Sequence, residues 1–127
     1  MSTLKVDAVD PRTSGTIIAV GATKGNITAL TSATTITIDM ADSNNFSVTL
    51  AHNATFANPS NISAGQCGSI FITQDGTGSR TGSWGSYWDF IGGTAPTLTT
   101  TASGVDRIDY VVLDSTNIQA VATLTYS

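Results

Sequence analysis

The chain has 127 residues and a net charge of -4, and only 11% of its residues are charged, against roughly 25% in an average soluble domain. All nine acids are Asp, and five Lys and Arg are scattered with no basic stripe, which argues against binding to a phosphate backbone. Val, Ile, Thr, Tyr, Phe and Trp together supply 50 residues. These types favour strands, and strong helix formers are scarce, so a helical bundle or coiled coil is excluded.

The first 25 residues read as an extended arm. They contain Leu4, Val6 and Val9 but also Asp10-Pro11 and Ser14-Gly15, a poor pattern for a core strand. Two readings stay open here, a frayed terminus or an arm that orders on a neighbour. Thr16-Ile17-Ile18-Ala19-Val20 follows, β-rich and closed by Gly21; no apolar run in the chain is longer than its Ile17–Val20 portion. Residues 1–24 carry a net +1 and the remainder a net -5. The start lacks the apolar core of a leader peptide, so a chain made without a secretory signal is expected. No run approaches the length of a membrane span.

Residues 26–127 are expected to form the folded body. Asn26–Leu30 is a weak strand. Thr35–Met40 and Phe46–Leu50 both alternate with period two, which marks strands that bury one face. The polar loop Ala41–Asn45 between them has hairpin length, so an antiparallel pair is expected. Asn53–Gly68 reads as a long connection and Ser69–Thr73 as a strand. Gln74–Ser83 reads as a Gly-rich loop. Tyr87–Ile91, Thr97–Thr101, Arg107–Leu113 and Ile118–Tyr126 complete the strands. Asp114–Asn117 makes the final hairpin turn. The alternation puts Ile36, Ile38, Phe46, Val48, Leu50, Ile70, Ile72, Trp88, Phe90, Ile108, Tyr110 and Val112 inward. Eight or nine short strands at regular spacing predict an all-β fold, an antiparallel, jelly-roll-like β-sandwich with an extended N-terminal arm.

Groups for catalysis are few. His52 is the only histidine and reads as a strand-end residue. Asp106 with Asp109, and Asp39 with Asp42, read as surface carboxylates and not as acid–base pairs. The single cysteine, Cys67, rules out an internal disulfide and reads as a small buried residue. Glycines at 76, 78 and 82 fit no phosphate-binding fingerprint, and a turn capped by Asp75 explains the loop. No cofactor, no metal site and no enzyme activity are expected. The four Asn-X-Ser/Thr triplets carry no weight in so Ser/Thr-rich a chain. Trp84-Gly85-Ser86-Tyr87-Trp88-Asp89-Phe90 is the most distinctive stretch. Core or subunit packing is the default for it, with Arg80, Trp84 and Tyr87 as an alternative exposed recognition surface.

A set of segments gives the chain a resemblance. They are Ala57–Asn61, Gly65–Thr81, Trp84-Gly85-Ser86 and Phe90–Thr99, with Ser2-Thr3-Leu4-Lys5-Val6-Asp7 as a shorter signal. Together they resemble a β-domain of tailed-bacteriophage virion proteins, over about residues 34–125. The resemblance implies a non-enzymatic structural protein, typically a homotrimer. One small domain with one arm fits a capsid decoration (cement) protein on the outer head surface, with the major capsid protein as partner. The alternative is a tail fibre, spike or adaptor that meets a host-surface glycan. Either would be made in the host cytoplasm, with no nucleic-acid or membrane partner. Under the first reading the arm touches capsid or a sister subunit through Leu4, Val6, Val9, Ile17, Ile18 and Val20.

Overall fold

In the computed structural model, residues 21–22 and 24–127 are described. The expectations for Leu4, Val6, Val9, Ile17, Ile18 and Val20 therefore lie outside the described residues. Nine strands lie among the described residues: β1 (Ile27–Ala29), β2 (Thr35–Ile36), β3 (Asn45–Leu50), β4 (Ala54–Phe56), β5 (Cys67–Gln74), β6 (Gly82–Trp84), β7 (Trp88–Phe90), β8 (Val105–Asp114) and β9 (Asn117–Thr123). The only helix among the described residues is one 3-10 turn at Ile91–Gly93, and none is long and apolar enough to cross a membrane. The β-rich class is as expected.

The chain winds between two sheets. Strands β1, β3 and β5 enter a six-stranded sheet of order β1-β3-β5-β8-β9-β7, and the intervening β2, β4 and β6 form a three-stranded sheet in that order. Each turn lays a strand beside its predecessor in the same direction. Ile27 pairs with Asn45, Phe46 with Ile70, Thr35 with Thr55, and Ala54 with Gly82, all parallel. Strand β7 also runs parallel to β9. Only β5–β8 and β8–β9 are antiparallel.

This corrects the antiparallel, jelly-roll-like expectation. Thr35–Met40 does not fold back on Phe46–Leu50. Instead β2 pairs with β4, while β3 lies between β1 and β5. Alternation fixes which face turns inward and is silent about the neighbour. The loop after Met40 carries the chain across to the other sheet. Gln66 holds that loop by donating through Nε2 to Met40 O (2.9 Å) and Ser43 O (3.1 Å). Two expected loops contain short strands, β4 and β6. Thr97–Thr101 is not a strand, although Leu98 is buried. Its Thr99 amide donates to the Asp106 carboxylate (2.7 Å) and not to a strand carbonyl. The Asp114–Asn117 hairpin turn forms as read, with Asp114 Oδ1 accepting from the Thr116 amide (2.9 Å).

One core draws on both sheets. Eleven of the twelve expected inward residues are in it; Phe90 is half-buried against its edge. The second sheet adds Ala54 and Phe56, and β9 adds Ile118 and Ala120. Aromatic rings close one end: Phe56 stacks on Trp84 at 4.5 Å, and Trp84 meets Trp88 edge-on at 5.2 Å. Such pairs add to the burial of large apolar area.

Candidate interaction surface

Side chains of β5, β8 and β9 alternate across the large sheet, so their outward residues stand in rows. One row runs Cys67, Val111, Gln119 and Asp89. The next holds Ser69, Asp109 and Val121, and a third Phe71, Arg107 and Thr123. Val111 is 52% exposed, Leu113 59%, Val121 48% and Ile91 78%. Elsewhere this outer face carries Ser47, Thr49 and Thr73, the usual dress of a solvated sheet face. A depression of about 460 Å³ lies between Ile91, Val111 and Val121, with Asp89 and Asp109 at its sides. A cluster of large exposed apolar side chains departs from the scattered singles that a monomer surface normally shows.

Asp109 and Arg107 beside this patch are partnered. Asp109 takes the Ser69 hydroxyl (2.6 Å) and pairs with Arg107 (2.9 Å). Arg107 also lies over the Tyr126 ring, 5.3 Å from its centroid. Below the patch, the Tyr110 hydroxyl donates to Asn44 O (2.6 Å). Burial, and then the nearby Cys67 thiol, push the Tyr110 phenol up to about 12.

Several candidate residues are committed elsewhere. Arg80 forms a bidentate pair with Asp75, Nη2 to Oδ2 at 2.8 Å. That guanidinium, with help from the Gly78 and Thr77 amides, holds the Asp75 carboxyl below the usual carboxylate range. Buried Gln74 closes the same loop, donating to Arg80 O (2.8 Å) and accepting from Arg80 N (2.9 Å). Trp84 is half-buried in the aromatic cluster and borders a groove of about 520 Å³ with Pro96 and Leu98. Its indole Nε1 is buried with no hydrogen-bond partner. Tyr87 is half-buried, and its amide donates to Asn58 Oδ1 (2.9 Å). Arg80, Trp84 and Tyr87 thus each serve a local packing or turn contact.

One carboxylate, Asp106, and the thiol sit differently from the reading, while Asp109 is at the surface as read. Asp106 and Asp109 are three apart on one strand, so they point to opposite faces. Asp106 is inward and buried, not at the surface. Cys67 is exposed, because β5 begins there and its odd-numbered residues face outward. His52 is exposed and meets Ser32 Oγ through Nδ1 at 3.0 Å. The same Ser32 Oγ accepts from the Ala51 amide (2.9 Å), so the contact ties two turns together. Among the described residues no three His, Cys, Asp or Glu side chains are grouped to hold a metal ion.

The apolar patch was missed at the sequence level, yet a signal for it exists. Tyr110-Val111-Val112-Leu113 is apolar on both faces, whereas Ile36 and Val48 alternate with Ser or Thr. Comparison with protein-family models, curated proteins and solved structures finds no match.

Proposed function

We propose that this chain is a structural protein of a tailed-bacteriophage virion, a decoration protein that binds the outer head surface as a trimer. The observation that carries the reading is the cluster of exposed apolar side chains Ile91, Val111, Leu113 and Val121 on and beside the outer face of the large sheet. That cluster suits a protein that works through contacts with other protein surfaces. The resemblance of residues 34–125 to phage virion β-domains supports the class of partner. Subunits of the major capsid protein are the partner under this reading, and sister copies complete the trimer.

A decoration protein adds binding energy across seams that packed DNA pushes apart. A trimer on a three-fold position repeats each contact three times. Once one subunit is bound, the others bind at high effective concentration. The fibre or spike alternative needs a free recognition surface at Arg80, Trp84 and Tyr87; Arg80 is paired with Asp75, and Trp84 is packed on Phe56.

The test is stoichiometry on the particle. Purified virions of the encoding phage, probed with an antibody to this chain and imaged, should carry many copies spread over the head. A few copies confined to the tail would overturn the reading in favour of a fibre or adaptor.

A further inference from the structure

A trimer on a three-fold axis does not press like patches together. Away from the axis each contact joins two different patches, one from each neighbour, and the ring closes after three copies. The apolar cluster around Ile91, Val111 and Val121 then needs a complementary patch elsewhere on the same chain.

The opposite side of the large sheet supplies one. Besides that cluster with Leu113, and Leu124 and Tyr126 near the C-terminus, the large apolar residue exposed among the described ones is Ile27, at 57%. It stands on β1, and the order β1-β3-β5-β8-β9-β7 puts it on the side away from β7. Thr28 pairs with buried Phe46, so Ile27 faces outward. Ile27 pairs with Asn45, whose Oδ1 accepts the Ser69 amide (3.1 Å), and the row continues through Asp109 to Val121. One outward row thus has an isoleucine at one end and a valine at the other, with polar residues between. Four strand spacings, about 19 Å, hold the two ends apart as separate patches.

Charge distinguishes the ends. Among the described residues the ion pairs are Arg80 with Asp75 and Arg107 with Asp109. Asp89 is exposed beside Ile91 and is in neither pair. Lys24 is exposed three residues before Ile27 and is also in neither. A copy meeting its own like patch would set Asp89 against Asp89, whereas the opposite end brings a cation. Complementary charges of this kind fix register and suppress wrong pairings.

We propose, resting on the trimer reading above, that the cluster is a docking site for a second copy of this chain, which lays Ile27 beside Ile91 and Val121 and sets Lys24 against Asp89. The contact is head-to-tail, and three copies close it. Each site is completed by its neighbour, which supplies the cation that Asp89 meets.

Cross-linking on a Cys67→Ser background tests the pairing. Ile27→Cys and Ile91→Cys replace exposed side chains, so both variants should keep the parent's circular dichroism. A short bis-maleimide should join the two variants to each other when they are co-assembled, and neither to itself when alone. Lys24→Asp and Asp89→Lys should each raise the concentration at which trimers half-dissociate by about ten-fold or more, and the double reversal should bring it back near the parent's. Ile91→Cys linked to itself overturns the proposal, because like patches then meet. So does a co-assembled mixture that yields no cross-link, or a double reversal no tighter than the single ones. Copy number on the virion reads the decoration role separately: a chain that covers the head but fails these tests keeps that role and loses this contact.

Discussion

Gly68 shows how one missing side chain positions another. It sits opposite Tyr110 on the inward face, and a Cβ built there would run into Asn44 O and come within 3.1 Å of the Tyr110 hydroxyl. The hydrogen bond from Tyr110 to Asn44 O uses that space. Gly68→Ala must push back the loop that joins β2 to β3, and should cost about 1–3 kcal/mol, the range of overpacked cores. Chemical denaturation should read this as a lower midpoint with an unchanged slope. Titration adds a second expectation. Asp39 is held low by Asn61 and the Ala41 amide, Asp75 by Arg80, and Asp114 by the Thr116 amide and Asn117. Their folded pKa values lie below the unfolded value near 3.8, so their contribution is full above that pH and is lost as pH falls through the folded values. Tyr110 has the opposite sign. Its folded pKa of about 12 exceeds the unfolded 10.0, so stability is full below pH 10 and falls as pH rises toward 12. A thermal midpoint flat from pH 5 to 9 and dropping on both sides is expected. Asp39→Asn, Asp75→Asn and Asp114→Asn together should flatten the acid side only.

At the scale of elements, inward faces were legible and partners were not. Ile36, Phe46, Val48 and Leu50 alternate with small polar residues, Ile70 and Ile72 flank the outward Phe71, and all six aliphatic or aromatic inward residues are buried. The same pattern serves a parallel turn of the winding or an antiparallel hairpin, since both bury every second residue. Only the β8–β9 hairpin was readable as a pair, because Asp114–Asn117 supplies its own turn chemistry. Short strands such as β4 and β6 were hidden in connections, each with three residues and too brief to show a period. Thr97–Thr101 illustrates the reverse case. It has strand composition, but buried Asp106 accepts the Thr99 amide (2.7 Å) and the Thr125 amide (3.0 Å), one through each oxygen. One carboxylate therefore clips two non-strand segments to β8. Asp106→Ala leaves both amides without that acceptor and should cost about 1–3 kcal/mol for each one kept from water. Faster amide exchange at Thr99 and Thr125, with β8 and β9 still protected, is the expected result. Unchanged exchange at both would mean that the clip does not hold them.

For the whole molecule, the candidate surface was the least legible part. The aromatic run around Trp84 drew the eye in the sequence, yet its rings face Phe56, Trp88 and Phe90 within 5.2 Å. The exposed patch comes instead from β8, β9 and the residue after β7, far apart in sequence and joined only by strand order. Gly92-Gly93 signals the turn beside Ile91, but the β7–β9 pairing has no local signal, so no reading of single segments assembles the patch. The patch makes the last prediction. Val111 and Val121 point away from the core, so Val111→Asp with Val121→Asp should leave the fold intact. The two new carboxylates join Asp89 and Asp109 on the same face, and an interface that buried four acids would pay a heavy desolvation and repulsion penalty. Circular dichroism and the thermal midpoint of the variant should stay near the parent's. If the proposed decoration role holds, sedimentation should show the parent as a trimer and the variant as a monomer, and the variant should fail to bind undecorated capsids. A variant that remains trimeric and decorates as tightly as the parent removes this face from both contacts and moves the burden to the arm. Replacing Leu4, Val6 and Val9 with Ser then becomes the discriminating measurement, since each apolar side chain contributes about 1.5–3 kcal/mol if fully buried on a partner. Loss of decoration in that variant alone would assign attachment to the arm and leave the patch on β8 and β9 without a role in assembly.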